Sequence, residues 1–177
     1  CYKLWEPLTW EQGPVSTTGK PILIVENLSP YLSFCAWNLR AGAYAAIVYG
    51  RGNALMGLLH LLPPIMDRLG CTVLDYFGDL DARGLDIPRK AQETALLIGL
   101  RMPPIQPSVR WYRAMLDHAE CDTVVTISPG VWTEDILSWL PQELRESVRR
   151  LFESGRRLPQ ELIGTEYLAR IRHMETP

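Results

Sequence analysis

In the first half of the chain, apolar residues fall into unbroken runs rather than alternating ones. Pro21-Ile22-Leu23-Ile24-Val25 ends in Glu26-Asn27, and Ala43 to Tyr49 ends in Gly50-Arg51-Gly52-Asn53. A third, β-branched and aromatic run, Val73-Leu74-Asp75-Tyr76-Phe77, is interrupted by Asp75 and leads into Gly78-Asp79-Leu80-Asp81. An unbroken apolar run predicts a strand buried on both faces, as in a parallel sheet. Between the runs lie helix signals. Ser29-Pro30 supplies an N-cap and first-turn proline for a helix to about Arg40, stopped by Gly42. An apolar helical stretch from Ala54 to Leu69 is interrupted at Pro63-Pro64 and closed by Gly70. Strand, helix, strand, helix, strand predicts an α/β fold, a mostly parallel sheet flanked by helices.

The second half reads as mainly helical. Asp86 to Leu100 suits a helix with Pro88 in its first turn, and the proline-rich Met102 to Trp111 has room for a short edge strand. Further helices are predicted over Trp111–Ala119, over Thr133–Trp139, from Pro141 to Gly155, and from Pro159 to about His173. Residues 1–20, with Trp5, Pro7, Trp10, Gly13, Pro14 and Gly19 and no sustained period, read as an irregular lead-in. Residues 21–177 then form one catalytic domain with a helical C-terminal part. The chain opens on Cys1 rather than methionine, so the expectation is a fragment whose missing N-terminal part carries functions of its own.

Composition narrows the chemistry. The 177 residues are 47% hydrophobic and 21% charged, ordinary for a soluble globular domain, and no apolar run is long enough to cross a bilayer. Cys1, Cys35, Cys71 and Cys121 are far apart and form no C-x-x-C pair, which argues against a zinc site and for reduced thiols in a cytoplasmic protein. No phosphate-cradling or dinucleotide-binding glycine motif is present. The formal net charge of −2 gives no hint of nucleic acid, but the late basic residues Arg145, Arg149, Arg150, Arg156 and Arg157 crowd one segment. Arginine forks phosphate well, so such a cluster can track a DNA backbone; a solvated helix face is the plainer reading.

The candidate site lies at the strand ends. In extended backbone Asp79 and Asp81 point the same way, and two neighbouring carboxylates repel unless a cation stands between them. Glu26 ends another buried strand, where core packing would not choose an acid. If the sheet joins these ends, three carboxylates converge, and a hard divalent cation such as Mg2+ or Mn2+ suits oxygen donors of this kind. The competing reading is a set of solvated turn acids. Arg51, between two glycines, is placed either to meet a phosphate or to pair with the acids.

Strand-Glu-Asn, then Gly-Arg-Gly, then Tyr-Phe-Gly-Asp-x-Asp-x-x-Gly resembles a Toprim domain. With the late Arg157-Leu158-Pro159-Gln160-Glu161 segment, the chain from about Pro21 to Arg172 is similar to the Toprim module of the nuclease subunit of Wadjet anti-plasmid defence systems. That subunit is itself similar to the A subunit of type IIB topoisomerases. The resemblance implies that Glu26 acts as acid/base or metal ligand, that Asp79 and Asp81 hold magnesium, and that Glu161 completes the acidic site. An acid in a helix's first turn is also favoured by the dipole alone. It further implies a DNA substrate, a homodimer and a condensin-like motor complex as partner. Arg149, Arg150, Arg156 and Arg157, with Arg51, are the residues expected to meet DNA. No winged-helix domain with a nucleophilic tyrosine is visible, which favours water as nucleophile. Two alternatives stand beside this: a haloacid-dehalogenase-like phosphatase, which also uses Asp-x-Asp after a strand, and a non-catalytic Toprim module that binds DNA or a partner.

Overall fold

The computed structural model describes residues 7–121 and 128–171. Five strands form one sheet: β1 (Trp10–Gln12), β2 (Ile22–Val25), β3 (Ala46–Tyr49), β4 (Leu74–Phe77) and β5 (Ile105–Pro107). Their order is β1-β3-β2-β4-β5, with β1 antiparallel to β3 and every other pair parallel. The helices are α1 (Leu28–Ala41), α2 (Leu55–Leu58), α3 (Leu62–Leu69), α4 (Ala82–Leu97), α5 (Val109–Cys121), α6 (Glu134–Ser138), α7 (Gln142–Glu153) and α8 (Thr165–Ile171). Cys1 and Trp5 of the lead-in, and His173, lie outside the described residues.

The unbroken apolar runs have the expected cause. All four residues of β2 are fully buried, because helices cover both faces of the sheet. Leu23 and Val25 face an aromatic layer that holds Phe34 and Trp37 of α1, Trp111 and Tyr112 of α5, and Phe152 of α7. Ile22 and Ile24 face the other layer, with Leu55, Leu62 and Met66 from α2 and α3 and Ala91 from α4. Burying side chains of this size stabilises the fold by about 1.5–3 kcal/mol each before chain entropy is counted.

Local details differ from the expected pattern. Trp10–Gln12, inside the stretch read as irregular, pairs with β3 as an edge strand; three residues are too few to show a period. Helix α1 begins at Leu28 with Asn27 in the capping position, so Ser29-Pro30 lies inside the first turn. Pro63 and Pro64 open α3 rather than break a longer helix, since a first turn needs no intrahelical N–H donors. Helix α4 starts at Ala82 rather than Asp86, because Asp81 caps it with an Oδ1 bond from Gly84 N at 2.7 Å, and Pro88 therefore sits in its interior. The last expected helix is two pieces, a 3-10 turn at Gln160–Ile163 and then α8, parted by extended Gly164.

Topology fixes where side chains gather. From β2 the chain crosses through α1 to β3 on one side, and from β4 it crosses through α4 to β5 on the other. β2 and β4 are neighbours, so their C-terminal ends flank a crevice where the winding direction reverses. In open α/β sheets that crevice is where ligands bind.

Candidate functional site

Glu26 follows the last residue of β2 and is 7% exposed. Its Oε2 accepts the Tyr76 hydroxyl at 3.1 Å and lies 3.4 Å from the backbone N of Asp79. A Cβ on Gly78 would collide with that same oxygen and with the Tyr76 ring, so the turn after β4 reaches Glu26 only with glycine there. Tyr112 steadies the turn by accepting Gly78 N on its hydroxyl at 3.0 Å. Burial, and next the charge of Asp79, push the Glu26 carboxyl up to about 7. Burial likewise raises the Asp79 carboxyl.

Asp79 and Asp81 share one side of the chain, but not as strand residues. β4 ends at Phe77, and Leu80 instead pairs antiparallel with Leu158, exchanging backbone bonds of 2.9 and 3.2 Å. The late segment thus supplies the extended geometry that orients the acids. The second glycine of the motif is explained too: a Cβ on Gly84 would strike the Asp79 backbone, so α4 packs this closely only without one.

Residues 157–161 strap the site. Gln160 is fully buried; its Oε1 accepts Asn27 N at 2.9 Å, and its Nε2 donates to Phe77 O at 2.6 Å. One amide therefore joins the ends of β2 and β4. The backbone N of Gln160 donates to Asp79 Oδ1 at 2.8 Å, and Asn27 Nδ2 reaches the same oxygen at 3.2 Å. Asn27 makes no side-chain cap bond to α1; its amide serves the acids instead. Sequence reasoning assigned no role at the site to Gln160, Asn27, Tyr76 or Arg83. The only prior signal was that Asn27, Tyr76 and Gln160 belong to the motifs quoted above.

Glu26, Asn27, Asp79 and Asp81 line a cleft of about 420 Å³ together with Arg51, Arg83 and Arg157. Three acids face three guanidinium groups. Arg157 NH1 lies 2.9 Å from Asp81 Oδ2 and 3.8 Å from Asp79 Oδ2. Arg51 holds a left-handed backbone (φ 58°), the sole such non-glycine among the described residues. Glu161 is exposed; among the described residues it meets the group through Asn27 Nδ2, 3.3 Å from its Oε1, and it lines a neighbouring cleft with His118 and Arg170. Among the described residues, no three His, Cys, Asp or Glu side chains are grouped so as to hold a metal ion.

The late arginines do not form one surface. Arg157 belongs to the acidic cleft, and Arg145 donates to the carbonyls of Ser138 and Leu140. Arg149 forks Glu134 with two bonds of 2.9 and 2.7 Å and also reaches Glu146. Arg150 and Arg156 line a separate groove of about 760 Å³ with Arg113, between α5 and α7. No described helix is long and apolar enough to cross a membrane.

No curated protein and no solved structure matches the chain. A family model described as Wadjet protein JetD, C-terminal, matches residues 6–171, which takes in every strand and helix of the fold and every acid of the cleft. The chain belongs to the family of the C-terminal part of the Wadjet protein JetD.

Proposed function

We propose that this chain is the metal-dependent, Toprim-type DNA nuclease of an anti-plasmid defence complex. The observation that carries the reading is the placement of Glu26, Asp79 and Asp81 in the switch-point crevice, beside Arg51 and Arg83. Membership of the Wadjet family supports a role as a component of anti-plasmid defence. DNA as substrate, a homodimer, a condensin-like motor as partner and a cytoplasmic setting complete the proposal.

The donors fit a hard cation in type. All are carboxylate oxygens, and Asp79 Oδ2 and Asp81 Oδ2 are answered in the cleft by a guanidinium nitrogen instead of a backbone N–H. Glu26, Asp79 and Asp81 would hold Mg2+ or Mn2+, with Glu161 as an outer member. The cation supplies Lewis-acid stabilisation of charge on the scissile phosphate. The chain's own groups do the rest. Arg51 and Arg83 hold phosphate oxygens through charge-assisted bonds. Glu26 Oε2 is engaged by Tyr76 and Asp79 N, so Oε1, which lies toward Gly52, is the oxygen left to serve either as a metal ligand or as the acceptor of a proton from an attacking water. In the metal-free cleft burial and the charge of Asp79 push this carboxyl up to about 7, the range that suits a proton acceptor at neutral pH.

Nicking of supercoiled plasmid with Mg2+ or Mn2+, against Glu26→Ala and Asp79→Ala, tests the proposal. Loss of cleavage in both variants is expected; full activity in both would sink it. One observation favours a second reading, a DNA- or partner-binding module without catalysis: Arg157 already neutralises Asp81. On that reading no metal dependence is found.

A further inference from the structure

The oxygens of the aspartate pair divide into two sets. Asp79 Oδ1 accepts Gln160 N and Asn27 Nδ2, and Asp81 Oδ1 accepts Gly84 N. These bonds fix each carboxylate and occupy its inner oxygen. Among the described residues, the outer oxygen of each, Oδ2, meets Arg157 NH1, at 3.8 and 2.9 Å. One guanidinium nitrogen thus stands before both oxygens that a cation would need.

Arg157 is tethered but weakly gripped. Its neighbour Leu158 is bonded to Leu80 in both directions, so the arginine hangs from the same short pairing that orients the acids. The contact with Asp81 is through one nitrogen, not the paired fork that makes arginine–carboxylate bonds strong. Arg157 Nε is buried and lacks a hydrogen-bond partner, and the side chain is 31% exposed. Leaving a buried N–H unsatisfied is unfavourable, so the guanidinium gains by moving to a ligand that engages all its donors.

We propose that Arg157 is an internal stand-in cation: it holds Asp79 Oδ2 and Asp81 Oδ2 in the metal-free protein and must withdraw for a divalent cation to bind. The inference rests on the metal-dependent reading above. Its consequence is substrate-gated loading. A DNA phosphate offers a forked acceptor in the cleft Arg157 already lines, and a phosphate that draws the guanidinium away frees the two oxygens. By linkage, the factor by which DNA tightens metal binding equals the factor by which metal tightens DNA binding. Without DNA the acids stay neutralised and the metal site stays weak.

Mn2+ binding followed by electron paramagnetic resonance tests this, on the wild-type protein and on Arg157→Gln, each with and without a short DNA duplex. Arg157→Gln is expected to bind Mn2+ at least about tenfold more tightly than wild type without DNA, since the competitor is gone. DNA is expected to tighten Mn2+ binding in wild type and to change it little in the variant. Equal or weaker binding by the variant would overturn the stand-in role while leaving the metal reading intact. Absence of Mn2+ binding in both proteins, or binding unaffected by Asp79→Asn, would overturn the metal reading itself. If Arg157→Gln does not fold, the wild-type Arg157 Nε–H resonance, assigned by its loss in Arg157→Lys, is followed during Mg2+ titration. It shifts with the metal isotherm if the guanidinium withdraws; a signal that stays put at saturating Mg2+ refutes the proposal.

Discussion

Tyr76 donates its hydroxyl to Glu26 Oε2 at 3.1 Å from a fully buried position on the neighbouring strand. Burial and the adjacent Glu26 push the Tyr76 hydroxyl well above its ordinary range, so it remains a neutral donor. The pair ties the two strand ends whose acids face the cleft. Burial, and next the charge of Asp79, dominate the behaviour of Glu26.

Stability of the metal-free protein is expected to fall as pH rises from about 4.5 to about 7. In that window the folded protein keeps a proton on Glu26 that the unfolded chain has released, so each rise in pH favours unfolding. The raised Asp79 carboxyl acts in the same direction. A shift of this size corresponds to about 3 kcal/mol. Urea unfolding in chelator at pH 5 and pH 8 measures it, and Glu26→Gln is expected to remove most of the difference. A wild-type protein as stable at pH 8 as at pH 5 would refute this account.

Gln160→Ala is expected to destabilise by roughly 2–4 kcal/mol, because Phe77 O loses its partner in a buried place and Asn27 N loses its partner in a partly buried one. Gln160→Glu keeps an acceptor for Asn27 N but loses the donor to Phe77 O and adds negative charge beside Asp79. It is therefore expected to be the worse variant above pH 7 and to recover toward acid, where the new carboxyl is protonated. Thermal unfolding of the two variants across pH distinguishes this from a simple packing loss.

Much of this arrangement was legible in the sequence, and the remainder has identifiable physical causes. The runs at 22–25 and 46–49 announced buried strands because each has helices on both faces. Glu26 stood out as an acid ending such a run. The pairing of Asp79 with Asp81 was also legible, but its cause lies in Leu158, 78 positions after Leu80 in the chain. Gln160 carried no local signal, because a buried glutamine differs from an exposed one only in its distant partners. The helix starts were misplaced where side chains serve the site: Asn27 takes the cap position without capping, and Asp81 caps a helix whose start was expected at Asp86.

Arg51→Gly and Arg51→Val are expected to part stability from function. A side chain in left-handed backbone costs about 1–2 kcal/mol, while glycine costs chain entropy of about 0.4–1 kcal/mol, so the backbone part of the Arg51→Gly change runs from neutral to about 1.6 kcal/mol stabilising. It nevertheless removes the guanidinium from the cleft, and DNA affinity falls. Arg51→Val loses that charge and also forces a β-branched residue into the same conformation, so stability drops as well. Denaturant titration and DNA-binding isotherms, taken on the same preparations, separate the two effects.

The arginines of the late segment are expected to divide in their salt response. Each phosphate contact contributes about 0.9 to the slope of log affinity against log salt on duplex DNA. Arg150 and Arg156 line an open groove, and replacing both with alanine is expected to flatten the slope by roughly 2 if that groove tracks the backbone. Arg149 has its donors committed to Glu134 and Glu146, so Arg149→Ala leaves the slope unchanged and lowers the melting temperature instead. Exposed ion pairs contribute little individually, so that loss is small. Filter binding over a range of salt concentrations reads both. An Arg149→Ala slope as flat as that of the double variant would mean that its carboxylate partners yield to phosphate. An unchanged slope in the double variant would leave the groove a solvated face and confine DNA contact to the cleft that holds Arg51 and Arg83.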